Sequence, residues 1–184
     1  EEYSHKLIKA VLDKYDYLDV REKAFMKRLT EGTIEKKIQL DYVTDQFSSV
    51  PVRKMKPLIR CLMRMSAYQI LYMDSVPDSA VCNEAVKLAV KRKFQNLRGF
   101  VNGVLRNLAR GKEQIKWPDK EGNLTEWLMI TYSMPQFLVE LWIKEYGAEC
   151  TEKMLSGLEK IHPVSIRFQT RLDKNARLEY IAQM

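Results

Sequence analysis

The chain has 184 residues, of which 46% are hydrophobic and 30% are charged, proportions that indicate a folded globular protein and exclude an intrinsically disordered one. Its formal net charge is +7, and no apolar run approaches the roughly 20 residues that a membrane-spanning helix needs, so no membrane partner is expected. Three cysteines and two histidines at unrelated spacings disfavour a zinc site, and with no secretion leader they predict a cytoplasmic protein with reduced thiols.

The chain opens with two predicted helices. Apolar residues recur at helical spacing over residues 7–15, which predicts the first helix. Asp19 followed by Glu22 is typical of a capping pair, so we expect a second, longer helix that runs to about Val43. Gly32 lies inside that helix, where glycine costs about 1 kcal/mol relative to alanine.

A third helix is predicted from Pro57 to about Met73. Proline suits its first turn, because the missing N–H would have no helical partner there. Apolar residues surround the helix almost completely, which predicts a position at the centre of a helical bundle. Arg60 and Arg64 lie one turn apart on this central helix, and we expect a buried ion pair for which Glu84 is the candidate partner.

Two more helices follow the turn at residues 76–78. Ser79 is the expected N-cap of the fourth helix, which we predict to end near Lys93. The fifth helix follows residues 94–98, and Gly111 lies where a C-terminal glycine cap is expected.

The excess positive charge is concentrated in this part of the chain. Residues 53–112 contain thirteen basic and three acidic side chains, a net charge of +10. Such a concentration is typical of a surface that binds a polyanion, although a solvated basic surface would look the same in the sequence.

The composition changes after the fifth helix. Residues 117–123 contain the Trp-Pro and Gly-Asn pairs of a linker, and two or three helices are predicted after it, one of them over about residues 133–147. Residues 164–170 alternate apolar and polar side chains like a half-buried strand, and Asp173 can cap a last helix. A lone strand cannot satisfy its own hydrogen bonds, so we expect its partner strands beyond Met184.

Three segments of the chain carry a family resemblance through their order and spacing. They are residues 64–72 (RMSAYQILY), 77–87 (PDSAVCNEAVK) and 99–106 (GFVNGVLR). Together they resemble the NusB family, an all-helical RNA-binding module. The resemblance covers about residues 1–112 and implies a NusB-like helical bundle.

The rest of the chain distinguishes two branches of that family. Residues 132–142 (YSMPQFLVELW) and 165–170 (SIRFQT) resemble the continuation found in the RsmB (Sun/Fmu) methyltransferases. These enzymes methylate carbon 5 of a cytosine in small-subunit ribosomal RNA with S-adenosylmethionine. The resemblance implies an all-α protein with a NusB-like RNA-binding domain at residues 1–112, a smaller helical segment at 113–160 and the first β-α unit of a truncated α+β domain at 161–184.

The same resemblance implies that this chain is inactive alone. The family's chemistry needs an activated cysteine thiolate that adds to the cytosine ring, and one such cysteine follows a proline. None of Cys61, Cys82 and Cys150 adjoins a proline, and the chain contains no Gly-x-Gly turn for a nucleotide-type methyl donor. We therefore expect no cofactor in this chain and S-adenosylmethionine in the parent protein, whose catalytic domain and ribosomal RNA are the implied partners.

The candidate RNA contacts cluster around the start of the fifth helix. The loop before residues 100–103 falls where the resemblance places RNA contacts, and guanidinium groups can grip phosphates or stack on unpaired bases. Steps of four residues place several candidates on one side of the fifth helix. The full set is Arg98, Arg106, Arg110, Asn102, Lys91, Arg92, Lys93 and, on the predicted strand, Arg167.

Each of these candidates has an ordinary alternative. The cations could be solvated surface residues, and Asn102 beside Gly103 could serve packing or a helix-end hydrogen bond. Residues 53–56 could add a basic rim to the surface.

Two other functions stay open for the chain as a whole. One is a NusB-type transcription antitermination factor, which the coding sequence downstream of Met184 would distinguish from a methyltransferase. The other is a protein-interaction bundle with no nucleic-acid role, for which a tight dimer would be the sign, and the sequence leaves dimerisation open.

Overall fold

A computed structural model describes residues 3–15, 17–160 and 175. Within those residues the regular elements are helices, joined by turns and loops. The described α-helices are α1 (Ser4–Asp13), α2 (Val20–Glu35), α3 (Lys37–Phe47), α4 (Pro57–Tyr72), α5 (Asp78–Lys91), α6 (Arg98–Gly111), α7 (Leu124–Thr131), α8 (Gln136–Tyr146) and α9 (Ala148–Leu158). Short 3-10 turns lie at Val52–Lys54, Gln95–Leu97 and Lys112–Gln114. The predicted strand at 164–170, with Arg167, and the start of the last helix at Asp173 lie outside the described residues. Within the described part, no helix has both the length and the apolar character to cross a bilayer.

Helix α4 is the centre of the larger core, as its apolar circumference predicted. It packs against α2, α3, α5 and α6. Complete burial of a Leu, Ile or Met side chain stabilises a fold by roughly 1.5–3 kcal/mol, so the buried apolar residues of this helix contribute substantially to the bundle's stability. The buried residues of α4 are Ile59, Leu62, Met63, Ser66, Ala67, Tyr68 and Ile70.

The second predicted helix is in fact two helices. The predicted capping box is present, because the Asp19 carboxylate accepts the Glu22 N–H at 2.7 Å and the Glu22 carboxylate accepts the Asp19 N–H at 3.0 Å. The helix does not continue to Val43, since the backbone leaves helical geometry at Lys36 and α3 begins after it. Gly32 does not cause this break: it lies within α2, where an added Cβ would be 2.1 Å from an atom of the Tyr68 ring.

Two predicted helix caps are wrong. Ser79 is the second residue of α5, whose N-cap position is Pro77, and no side chain caps that helix. Gly111 has φ −100°, so it is not a left-handed cap, and the chain continues into a 3-10 turn. A Cβ at Gly111 would come within 2.5 Å of the Phe47 ring, so this glycine allows α6 to pack closely on α3.

Helices α7–α9 form a second, smaller core, which matches the prediction of two or three helices after the linker. Asn123 caps α7 by accepting a hydrogen bond from the Glu126 N–H at 3.1 Å. Gly147, with φ 79°, separates α8 from α9 near the predicted helix end. The fully buried residues of this core are Leu128, Val139 and Leu155.

Hydrogen bonds on α3 join the smaller core to the bundle. The buried Gln39 side chain accepts a hydrogen bond from the Tyr72 hydroxyl and donates one to the Thr131 carbonyl at 3.4 Å. Lys36 forms an ion pair with Glu159 near the end of the described chain. Because a buried polar group left without a partner costs about 1–3 kcal/mol, Gln39 favours this one arrangement of α3, α4 and α7.

Candidate nucleic-acid interface

The candidate surface is centred on the connection between α5 and α6, residues 91–98, which we call the basic turn. Helix α5 ends at Lys91, a 3-10 turn follows, and α6 begins at Arg98. The sequence predicted the end of α5 near Lys93, two residues too late. The exposed cations of the basic turn are Lys91, Arg92, Lys93 and Arg98.

Two backbone hydrogen bonds and one half-buried ring fix the shape of the basic turn. The Lys93 N–H donates to the Val90 carbonyl and the Phe94 N–H to the Ala89 carbonyl, both at 2.9 Å, which is the Schellman pattern of a helix end. The Phe94 ring packs against the main core. The ammonium group of Lys56 lies 5.4 Å from the centre of that ring, so the predicted basic rim does adjoin the turn.

Helix α6 buries one side and presents the other to solvent, as its periodicity predicted. On the outer side Arg98, Arg106 and Arg110 are exposed and Asn102 is half-buried. The Asn102 amide oxygen accepts a hydrogen bond from Nε of Arg106 at 2.9 Å, so Asn102 orients a guanidinium group rather than capping the helix. The buried residues of α6 are Val101, Val104, Leu105, Leu108 and Gly111.

The cations of this surface keep their charges available. In the part of the chain that the structure describes, the ion pairs involve none of residues 91–93, Arg98, Arg106 and Arg110. Their positive charges are therefore not neutralised by carboxylates of the bundle, and they can attract an anion from solution.

The three acidic residues between positions 53 and 112 all lie outside the basic turn. Asp78 pairs with Lys112 at 3.4 Å and Glu84 with Lys87 at 2.7 Å. Asp74 is exposed in the turn before α5. Ion pairs of this kind contribute only about 0–1 kcal/mol to the stability of the fold. The basic turn itself contains no acidic residue.

An open groove between α5 and α6 runs beside the basic turn. An added Cβ at Gly99 would meet nothing within 4 Å, so the groove is wide at this point. Two of its residues, Asn83 and Lys87, are absent from the predicted set, although their i, i+4 spacing places both on one side of α5. Amides and cations along such a groove can bind phosphate and sugar oxygens. The groove is lined by Asn83, Val86, Lys87, Arg98, Gly99 and Asn102.

The predicted ion pair on α4 is present with a different partner. Arg64 donates two hydrogen bonds to the Asp41 carboxylate, each at 2.6 Å, instead of contacting Glu84. The hydrogen bonds that Arg64 donates to Asp41 raise the pKa of Arg64, because they favour the charged guanidinium. Arg60 is not in this pair: its Nη1 is 3.5 Å from the Arg53 carbonyl, and its buried Nε has no partner among the described residues.

The three cysteines are free thiols. Cys61 and Cys150 are exposed, whereas Cys82 is buried on α5. Burial raises the pKa of the Cys82 thiol, with Arg106 acting in the opposite direction. A raised pKa disfavours the reactive thiolate, so packing is the role that this residue fits.

A family model described as the NusB family matches residues 1–110. Two curated relatives match nearly the whole chain, and both are described as a probable ribosomal RNA small subunit methyltransferase B. The one from Bacillus subtilis is 34% identical over 99% of this chain and 39% of its own length. The one from Synechocystis is 28% identical over 97% of this chain and 39% of its own length. The chain thus spans about two fifths of the length of these relatives.

A second kind of relative matches a shorter stretch. The transcription antitermination protein NusB of Dictyoglomus thermophilum is 33% identical over 50% of this chain and 65% of its own length. No solved structure matches the chain.

Proposed function

The chain belongs to the NusB family, and from that premise we propose that it is the RNA-binding front region of an S-adenosylmethionine-dependent methyltransferase. Its substrate would be a cytosine of small-subunit ribosomal RNA, methylated at carbon 5. The chain would hold that RNA in the cytoplasm for a catalytic domain that lies outside it.

The assignment to the methyltransferase branch rests on how much of the chain the relatives match. The methyltransferase relatives match 97–99% of the chain, including helices α7–α9, whereas the antitermination relative from Dictyoglomus thermophilum matches 50%. Helices α7–α9 bury a core of their own against α3. A NusB-like bundle at residues 1–112, a helical segment at 113–160 and a further region from 161 onwards is the domain organisation that we propose.

The RNA-binding part of the proposal rests on the surface around the basic turn. Its cations, at residues 91–93 and 98, are exposed and form no ion pair within the described residues, and Arg98 also lines the groove between α5 and α6. Phosphate contacts by such side chains release condensed counterions, which makes affinity fall steeply with salt.

The methyl donor does not fit the described residues of this chain. Nucleotide cofactors of this type are bound at a glycine-rich turn between a strand and a helix, and the described residues are helical, with no such turn among them. We therefore assign S-adenosylmethionine and the chemical step to the parent protein and derive neither from these residues.

Filter binding of the chain to a ribosomal RNA fragment at two salt concentrations tests the proposal. We expect affinity to fall by at least about tenfold between roughly 50 and 200 mM salt, which corresponds to as few as about two phosphate contacts. Affinity that does not change with salt would refute binding dominated by phosphates.

The antitermination function is the second candidate, because relatives with that name match the bundle. The coding sequence after Met184 discriminates between the two. A methyltransferase domain with a Pro-Cys pair supports the first proposal, and a stop codon supports antitermination.

A further inference from the structure

Two helices of this protein end in the same unusual way. Among the described residues, the non-glycine residues with positive φ are Lys93 at 66° and Ser133 at 53°. Lys93 occupies the first position beyond the C-cap of α5, and Ser133 the equivalent position beyond α7. At the second site the Ser133 N–H lies 3.4 Å from the Ile130 carbonyl and the Met134 N–H 3.0 Å from the Met129 carbonyl, which repeats the Schellman pattern of the basic turn.

Glycine is the usual residue at this position of a helix end. An L side chain is crowded there by its own backbone, and glycine escapes that crowding because it has no Cβ. A side chain that is nevertheless present at such a position points to a role that glycine could not fulfil.

For Ser133 the structure shows that role. Its hydroxyl oxygen accepts a hydrogen bond from the Ile38 N–H at 2.9 Å and lies 3.5 Å from the Gln39 nitrogen. These are the second and third residues of α3, whose own N-cap residue, Lys36, provides no side-chain cap. The strained serine of one helix end therefore caps the start of another helix, which a glycine could not do.

Within the described residues, the Lys93 side chain has no comparable structural role. Its side chain is exposed and takes part in no described hydrogen bond, ion pair or ring contact. Its chain neighbours Lys91 and Arg92 are cations, and Lys56 stands against the adjacent Phe94 ring. Both the left-handed backbone conformation and the mutual repulsion of these charges oppose a lysine here, and a negatively charged ligand would relieve the repulsion.

We propose that Lys93 is a phosphate-binding residue of the RNA surface, and that the strained end of α5 directs its side chain into solvent so that its ammonium group meets the RNA backbone beside Arg98. This inference rests on the proposed RNA-binding function. The Schellman bonds and the half-buried Phe94 ring fix the direction of the Cα–Cβ bond with which the Lys93 side chain leaves the backbone. A direction that is fixed before binding reduces the ordering that RNA binding would otherwise require.

Replacement of Lys93 by glycine separates this role from a structural one, because it moves affinity and stability in opposite directions. In Lys93→Gly the loss of one exposed phosphate contact should weaken RNA binding by up to roughly fivefold, and the salt slope should fall by about one. The melting temperature should rise by about 2–4 °C, since glycine accepts the left-handed conformation without crowding. Lys93→Arg keeps the charge and should leave both quantities nearly unchanged.

Ser133→Gly is the matched control at the equivalent strained position. It relieves the same backbone crowding but removes the hydroxyl that caps α3, so the melting temperature should not rise. Its RNA affinity should equal that of the unmodified protein, because Ser133 lies on the α3–α7 junction and not on the basic turn.

The outcomes distinguish this inference from the proposed function. If Lys93→Gly is more stable but binds RNA as well as the unmodified chain, while Arg98→Glu abolishes binding, the inference fails and the proposed function stands. If the unmodified chain does not bind RNA at low salt, both fail. A lower melting temperature for Lys93→Gly would contradict the strained lysine from which the inference starts.

Discussion

The hydroxyl of Ser133 accepts a hydrogen bond from the backbone N–H of Ile38 at 2.9 Å, although 95 positions separate the two residues in the chain. The first N–H groups of a helix have no partner within the helix, and a side-chain oxygen normally supplies one from the residue just before it. Here α3 receives that oxygen from the end of α7. The contact between the NusB-like bundle and the smaller core therefore supplies the N-cap side chain of α3.

Ser133→Ala should lower the free energy of unfolding by about 1 kcal/mol, the usual cost of removing an N-cap side chain. Urea denaturation followed by circular dichroism measures the change. Ser79→Ala is the control, because Ser79 looks like a cap in the sequence but caps no helix in the structure. A loss of stability in Ser79→Ala equal to that in Ser133→Ala would contradict the assignment of the cap.

Gly32→Ala should destabilise the protein by about 1–3 kcal/mol, although alanine is the better helix former. The added Cβ would lie 2.1 Å from the buried Tyr68 side chain, so the ring or the two helices must shift to admit it. Gly103→Ala is the matched change within α6, where a Cβ meets nothing within 4 Å. It should stabilise the protein by up to about 1 kcal/mol. Thermal unfolding of the two variants should show shifts of opposite sign, and a rise for both would show that α2 and α4 can move apart.

The stability of the protein should depend on Tyr72 at alkaline pH. Burial, with a smaller effect from Glu159, raises the pKa of Tyr72 from 10.0 to about 12. Between these values the unfolded chain has lost the phenolic proton and the folded protein still holds it. The folded state's advantage is therefore complete below pH 10 and is lost as the pH rises towards about 12.

The measurable quantity is the difference between the unmodified protein and Tyr72→Phe, since other tyrosines and lysines titrate in the same range. That difference in the free energy of unfolding should change by roughly 2 kcal/mol between pH 9 and 12, which allows for the partial exposure of the ring. A difference that stays constant over this range would mean that Tyr72 titrates normally in the folded protein.

Arg98→Glu should weaken RNA binding more than Arg53→Glu. Both residues are exposed, and both substitutions change the net charge by the same amount, but Arg98 lies on the basic turn and its groove whereas Arg53 does not. We expect roughly a tenfold loss or more for Arg98→Glu, because a phosphate contact is replaced by a repulsion, and a loss of only a few-fold for Arg53→Glu. Equal losses in filter binding would remove Arg98 from the site and leave a general charge effect.

Much of the candidate surface could be predicted from local patterns. Steps of four residues placed Arg98, Asn102, Arg106 and Arg110 on one side of α6, and the structure places them there, opposite the buried side chains. The left-handed backbone of Lys93 could not be predicted in this way, because glycine is the usual signal for that conformation and here a lysine adopts it. Whether these residues bind RNA stays a prediction.

The sequence by itself predicted most of the described helices and some of their starting points, although it merged α2 and α3 into one helix. The apolar residues on nearly every side of α4 marked it as central, and Pro57 and the Asp19–Glu22 box marked two helix starts, because each of these signals lies within a single helix or its first turn. Tertiary structure alone decided that Arg64 pairs with Asp41, that Gly32 faces Tyr68 and that Ser133 caps α3. These contacts join residues 23 to 95 positions apart, so they depend on how the helices pack and not on any local pattern.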